Sequence, residues 1–196
     1  MKYHSLKRKF EPYIDVIIFV VTLLVANYAW KWTFTGDEEG DIVTWLGFDV
    51  TAPFEYMACH VTSVVYWLLS LVRDSAYMPD DNIIRFTSTG NGTAIIWGCT
   101  GLKQSFIWLC LILTVRSVPG YEKQNWLNKL WFIPLGWLCC YAFNILRIFL
   151  ISLVIEHHRE LFPLLHNYVF KYLFYAMLFG LWVWFVEKIR YASSAR

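Results

Sequence analysis

Three residues in this sequence have the chemistry of a reacting centre. Cys99 lies in Gly98-Cys99-Thr100-Gly101-Leu102-Lys103, where an extended stretch gives way to an apolar one. A cysteine at the start of a helix feels the positive end of the macrodipole, which favours thiolate. Lys103 is one helical turn further on and adds positive potential to that face. The flanking glycines allow close approach of another backbone. A buried cysteine in a tight turn fits the same residues.

Asn144 and Arg147, in Asn-Ile-Leu-Arg-Ile, are three residues apart and share a helix face. Their surroundings are apolar enough to lie in a membrane. Arg147 then sits about 12 Å of helix below the end of that segment, at 1.5 Å per residue. An arginine at such depth costs several kcal/mol unless it is paired or hydrated. Such residues face a bundle interior and mark function, or else anchor a helix by bonding backbone carbonyls. His166 stands in Leu-Leu-His-Asn-Tyr, just before the last apolar stretch. A thiolate-imidazole pair activates cysteine for acyl transfer, and a fixed guanidinium can stabilise an oxyanion. The competing use of Glu156, His157, His158 and His166 is a metal site, but their spacing matches no recognised ligand pattern. Walker, dinucleotide and HExxH motifs are absent, so neither a metal nor a cofactor is expected.

A membrane bundle must hold these residues. The 196-residue chain is 58% hydrophobic and only 16% charged, with 11 Trp and 12 Tyr. A soluble domain is about a quarter charged, and Trp and Tyr suit membrane interfaces. The net charge of +2 and the lack of a basic, aromatic-interleaved run exclude a nucleic-acid partner. Five cysteines without paired spacing exclude a disulfide framework.

Four stretches are expected to span: residues 13–30, 100–118, 130–155 and 168–186, the second being weakened by Lys103 and Gln104. The first lacks a small-residue cleavage site and reads as an uncleaved anchor. Basic residues mark three segments as cytoplasmic. These are the N-terminus with Lys2, Lys7, Arg8 and Lys9, the connection with Arg116, Lys123 and Lys129, and the C-terminus with Lys188, Arg190 and Arg196. The connection with Asp37, Glu38, Glu39, Asp41 and Asp49 is acidic and belongs outside. Both termini are then cytoplasmic, and Cys99 and His166, two spans apart, share the outer face.

Residues 53–72 carry Glu55, Cys59, Thr62, Tyr66, Ser70 and Arg73 at spacings of three and four, one polar stripe on a helix. They are expected to form an amphipathic helix at the outer interface or against the bundle. A true span here would break the charge parity. Residues 82–97 hold two β-branched, aromatic runs around Thr89-Gly90-Asn91-Gly92, a hairpin signal. The expected fold is one domain over residues 1–196. It is an all-α polytopic membrane helix bundle with a small extracytoplasmic β-hairpin, in the cell membrane.

With these pieces in order, the chain resembles the exosortase/archaeosortase family of membrane cysteine transpeptidases. The resemblance rests on Cys99-Thr100-Gly101-Leu102 after a hairpin, Asn144-Ile145-Leu146-Arg147-Ile148 in a span, and His166 before the final span. It covers roughly residues 82–186. It implies a Cys99, Arg147 and His166 active site, supported by Asn144 and Lys103. Its implied substrate is a secreted protein with a C-terminal recognition motif, a transmembrane helix and a basic tail. The implied product passes from a thioacyl enzyme to a lipid or glycan amine or hydroxyl. The chain is shorter than typical members, and has Val169, Phe170 and Lys171 where a glycine often follows the histidine. A related protease without transfer, or a non-enzymatic membrane assembly factor, are the alternatives. The charge bias predicts that a membrane-impermeant maleimide reaches Cys99 in intact cells, but Gln124→Cys only after permeabilisation. Labelling of Gln124→Cys in intact cells would overturn this orientation.

Overall fold

The computed structural model describes residues 2–36, 42–116 and 122–194. The loop charges Asp37, Glu38, Glu39 and Asp41, residues 117–118 of the second expected span, and Arg196 lie outside the described residues. The same holds for the side chains of Lys2, Lys7, Arg8, Lys9, Lys123 and Arg190.

The chain is mostly helical. Its elements run α1 (Lys2–Thr33), β1 (Phe34–Thr35), β2 (Thr44–Trp45), β3 (Phe48–Asp49), α2 (Thr51–Ser70), β4 (Ala76–Asp80), β5 (Ile83–Phe86) and β6 (Gly92–Ala94). A 3₁₀ turn (Trp97–Cys99) leads into α3 (Leu102–Thr114), followed by α4 (Glu122–Ile155). A second 3₁₀ turn (Arg159–Leu161), the single turn α5 (Phe162–Leu164) and a π-turn (Leu165–Val169) precede α6 (Phe170–Ser194).

Among the described residues, three segments are long and apolar enough to cross a membrane: Tyr13–Thr33, Asn125–Ile155 and Arg159–Ile189. The expected second span is shorter than the sequence suggests. The α3 helix has 13 residues, about 20 Å at 1.5 Å per residue, against a hydrocarbon core of about 30 Å. Its first expected residues, Thr100 and Gly101, are spent in the turn that carries Cys99.

Side-chain pairings fix the helix directions. Asp15 pairs with Arg116 at 2.9 Å, and the Trp30 ring meets Phe106 at 5.6 Å, so α1 and α3 are antiparallel. Lys129 donates to the carbonyls of Leu113 (3.2 Å) and Val115 (2.9 Å), while Trp137 donates to Ser105 (3.1 Å), so α3 and α4 are antiparallel. Phe185 packs on Phe132 and Phe174 on Phe143, so α6 runs back along α4. This up-down-up-down order places the starts of α1 and α4 and the end of α6 at one end of the bundle. Cys99, Arg147 and His166 gather at the other. Lys129, expected to be a loop charge, is buried. It satisfies the carbonyls that the end of α3 leaves without helical partners.

Helix α2 stands against the far half of α4. Val61, Val65 and Leu69 pack with Ile145 and Ile148, while the Tyr141 hydroxyl meets His60 Nε2 at 3.1 Å. The expected polar stripe is broken at Thr62, which is buried and bonds the Ala58 carbonyl at 2.8 Å. The hairpin expected over residues 82–97 appears as β5–β6, with Ile84 opposite Thr93. It belongs to a three-stranded sheet ordered β4-β5-β6. A second sheet, β1-β2-β3, follows α1 and was not expected from its two-residue strands. Its β2–β3 turn puts Leu46 at φ 50° and Gly47 at φ 88°, the positive pair that a tight hairpin turn requires.

The main core lies between α1, α3, α4 and α6, around Phe19, Trp108, Leu111, Phe132, Leu178 and Phe185. Trp108 is fully buried and its indole donates to the Phe132 carbonyl at 3.0 Å. That fit requires Gly136, where an added Cβ would overlap the Trp108 ring. At Gly180 a Cβ would meet nothing within 4 Å. Gly136→Ala should therefore destabilise the bundle by about 1–3 kcal/mol, the usual cost of overpacking. Gly180→Ala should be neutral. Thermal unfolding of the detergent-solubilised chain, read by size exclusion, checks both.

Candidate functional site

The three-stranded sheet brings the chain down onto the bundle at the level of Asn144. In the 3₁₀ turn, the Cys99 amide donates to the Ile96 carbonyl at 2.8 Å and the Thr100 amide to Trp97 at 3.2 Å. The Thr100 hydroxyl adds a bond to Trp97 at 2.7 Å. Gly101 then turns the chain into α3 at φ 81°, a conformation only glycine adopts freely. A Cβ there would lie 3.3 Å from the Asn144 Cβ and Cγ. Of the two flanking glycines expected to allow close approach, Gly101 does so and Gly98 faces open space. Asn144 uses this closeness: its Nδ2 donates to the Cys99 carbonyl at 2.6 Å.

His166 reaches Cys99 from the opposite side. Its Nε2 lies 3.8 Å from Cys99 Sγ. The π-turn that carries it has wider, weaker geometry than an α-helix, and such turns favour functional positions. The His166 ring stacks on Phe162 at 5.0 Å. Its Nδ1 lies 3.1 Å from Asn167 Oδ1. With Nδ1–H donating to that oxygen, Nε2 carries the lone pair and faces the thiol. Asn167 was not among the residues singled out from the sequence. Only its position next to His166 hinted at a role, because an exposed Asn in a loop is ordinary.

Arg147 closes the group. It is 8% exposed, and its Nε has no hydrogen-bond partner. Cys99, Arg147 and His166 line one cavity together with Thr93, Ala94 and Phe162. The cavity has a volume of about 20 Å³, room for about one water. Unpaired buried polar atoms collect around it: Thr93 Oγ1, Asn144 Oδ1 and Arg147 Nε. Orphaned groups of this kind cost free energy and are rare unless something binds them.

Lys103 is not brought into this group. Its charged neighbours are Lys31 on α1 and Lys171 on α6, and among the described residues no hydrogen bond or ion pair joins it to Cys99. The expected thiolate-favouring setting is also reversed. Burial pushes the Cys99 thiol above its ordinary pKa, more than the Arg147 charge and the Ile96 hydrogen bond pull it down. The turn ends before α3 begins, so the helix dipole gives Cys99 less than the sequence implied.

The other residues singled out near this end of the bundle are used elsewhere. Glu156 accepts from Ser75 (2.9 Å) and Ser88 (2.8 Å), and pairs with Arg73 at 3.1 Å. His157 lies 3.8 Å from Glu156, and His158 lies 3.1 Å from Glu160. Both histidines are exposed and neither lines the cavity with Cys99. A larger groove of about 420 Å³ opens on the other side of Thr100, walled by Met57, Phe106, Leu109 and Trp137. Its lining is almost wholly apolar.

A raised thiol pKa means that the resting nucleophile is neutral at pH 7. Alkylation of Cys99 by iodoacetamide, followed on its own peptide by mass spectrometry, should keep rising with pH beyond the point where a free cysteine levels off. Arg147→Gln removes the charge that lowers this pKa, so it should move the profile further up. A profile that plateaus below pH 8 would contradict the burial argument. Set against family models, curated proteins and solved structures, the chain matches none.

Proposed function

We propose that the chain is a multi-pass membrane cysteine peptidase or transpeptidase that works through a thioacyl intermediate. The observation that carries this reading is the 3.8 Å approach of Cys99 Sγ to His166 Nε2 in a cavity shared with buried Arg147. A neutral thiol beside an imidazole needs only local proton transfer to become a nucleophile.

In the proposed reaction His166 Nε2 takes the Sγ proton as sulfur attacks a peptide carbonyl. The S–C bond forms and the carbonyl becomes an oxyanion, which Arg147 balances. Collapse breaks the C–N bond, and His166 returns the proton to the leaving amine. The Asn167 amide keeps His166 in the required tautomer, as the third residue does in cysteine-histidine-asparagine sites. The thioester then passes to water, giving hydrolysis, or to an amine or hydroxyl, giving transfer.

The substrate class follows from the resemblance: a secreted protein whose C-terminal tail has a short motif, a transmembrane helix and a basic end. The apolar groove beside Thr100 supports a membrane-embedded substrate. A lipid or glycan is the proposed acceptor. In this reading both termini are cytoplasmic and the site is extracytoplasmic, consistent with the start of α1 and the end of α6 lying at the end of the bundle opposite Cys99.

Processing of tail-bearing substrates in cells tests the reading. Cys99→Ala and His166→Ala should accumulate normally and leave tails uncleaved, a loss of at least about a hundredfold for a missing acid-base group. The double change His157→Ala, His158→Ala should retain most activity. Arg147→Lys keeps charge but loses the planar fork of donors, and should be strongly impaired. Normal processing by Cys99→Ala would falsify the enzymatic reading.

A further inference from the structure

The hydrogen-bond alternation of the β4-β5-β6 sheet leaves one row of backbone groups beside Cys99 without partners among the described residues. The Phe86 amide donates to the Asn91 carbonyl at 2.9 Å, and the Ile95 amide to the Asn82 carbonyl at 2.8 Å. In the antiparallel register of Ile84 with Thr93, residues 91, 93 and 95 therefore turn their amides and carbonyls toward β5. The amides and carbonyls of Gly92 and Ala94 point the other way. Among the described residues no further strand lies there, because β6 is the edge of its sheet.

An open edge is a template for another strand, and most proteins blunt theirs with charge, proline or a covering element. This edge carries Gly92, Thr93 and Ala94, with no charge and no proline. It runs into the catalytic cavity, whose wall includes Thr93, Ala94 and Ile95 beside Cys99. Gly92 is sterically required at its position, since a Cβ would lie 2.5 Å from the Ile84 carbonyl oxygen. The rest of the cavity is lined by Arg147, Ile148 and Ile151 of α4 and by Phe162 and His166. A peptide laid along this edge is extended, as attack at a carbonyl by a side-on nucleophile needs. It gains main-chain bonds that do not depend on its sequence.

We propose that the substrate peptide docks as an added strand on the free edge of β6. Its backbone bonds the outward amides and carbonyls of Gly92 and Ala94, and this lays its scissile carbonyl between Cys99 and Arg147. The inference rests on the peptidase reading above and specifies how its substrate is held. Because the cavity as it stands has room for about one water, the docked strand needs the lining, Phe162 included, to move apart.

The test uses two alkylating probes on the detergent-solubilised full chain. Acetyl-Ala-Ala-Ala-chloromethyl ketone carries the strand; acetyl-Ala-chloromethyl ketone is too short to span the edge. In each, Sγ displaces chloride with formation of an S–C bond, and Cys99 labelling is read by mass spectrometry. The longer probe should react at least about tenfold faster, which one or two backbone hydrogen bonds can supply. N-methylation of its central amide should reduce it to the rate of the short probe, with the protein unchanged. Ala94→Pro removes only an outward donor, so the sheet keeps its bonds to β5. It should abolish the advantage of the longer probe, read as the ratio of the two probe rates on the same variant. Equal rates of the two probes on the unaltered protein would overturn the docking. So would an advantage that survives both N-methylation and Ala94→Pro. Failure of the peptidase reading looks different: neither probe labels Cys99, and Cys99→Ala processes normally.

Discussion

The hydrogen bond from Asn144 Nδ2 to the Cys99 carbonyl, 2.6 Å long, is the tie on which the geometry of the site depends. It joins a non-helical turn to the face of α4 that carries Arg147 one turn later. Asn144 is 1% exposed, so loss of this bond would leave its buried amide unpaired at a cost of about 1–3 kcal/mol. The bond forms only because Gly101 has no side chain to hold α3 away from α4. One glycine, one amide and one carbonyl thus set the position of the sulfur relative to the guanidinium.

A second clamp holds the sheet that delivers Cys99. A carboxylate at the C-terminal end of a helix meets the negative end of the dipole and is unfavourable there. Glu156 sits just past Ile155 and is tolerated because Ser75, Ser88 and Arg73 converge on it. Asn91 caps the same helix end through the carbonyls of Ile155 (3.2 Å) and Glu156 (2.9 Å). Burial raises the Glu156 pKa, but the bonds from Ser88 and Ser75 and the charges of His157 and Arg73 outweigh it, so the net shift is downward. The clamp therefore contributes stability above the ordinary carboxylate range and weakens as pH falls through the lowered value. Sheet and bundle are joined by two polar ties, one at each end of the segment between Asn144 and Glu156.

Between these ties the site carries unpaired polar atoms in a nearly closed cavity. Such atoms are a burden on folding unless a substrate group, or a single water in its absence, takes up their bonds. The proposed chemistry gives Arg147 Nε a use, facing a developing oxyanion, and the edge of β6 faces a peptide backbone. The neutral thiol follows from burial, which outweighs the pull of the Arg147 charge.

Composition and hydropathy alone determined that the chain has helices able to cross a membrane. Turn chemistry determined the β5–β6 hairpin, because Gly90 and Asn91 with Gly92 favour reversal whatever surrounds them. Cys99, Arg147, His166 and Asn144 were legible because their residue types are costly or reactive where they stand. The length of α3, the strand β4 and the β1-β2-β3 sheet were not legible, since a short strand takes its identity from the partner it pairs with. Tertiary structure alone decided that Lys103 has the like charges Lys31 and Lys171 as neighbours, that Asn167 bonds the imidazole, and that Glu156 clamps the sheet. Each of these depends on side chains distant in sequence meeting across helices, and a local pattern carries no record of such distances. The same reason explains the reversed reading of the thiol. A helix start favours thiolate by a local dipole, but burial comes from the elements packed around Cys99, and here it is the larger effect.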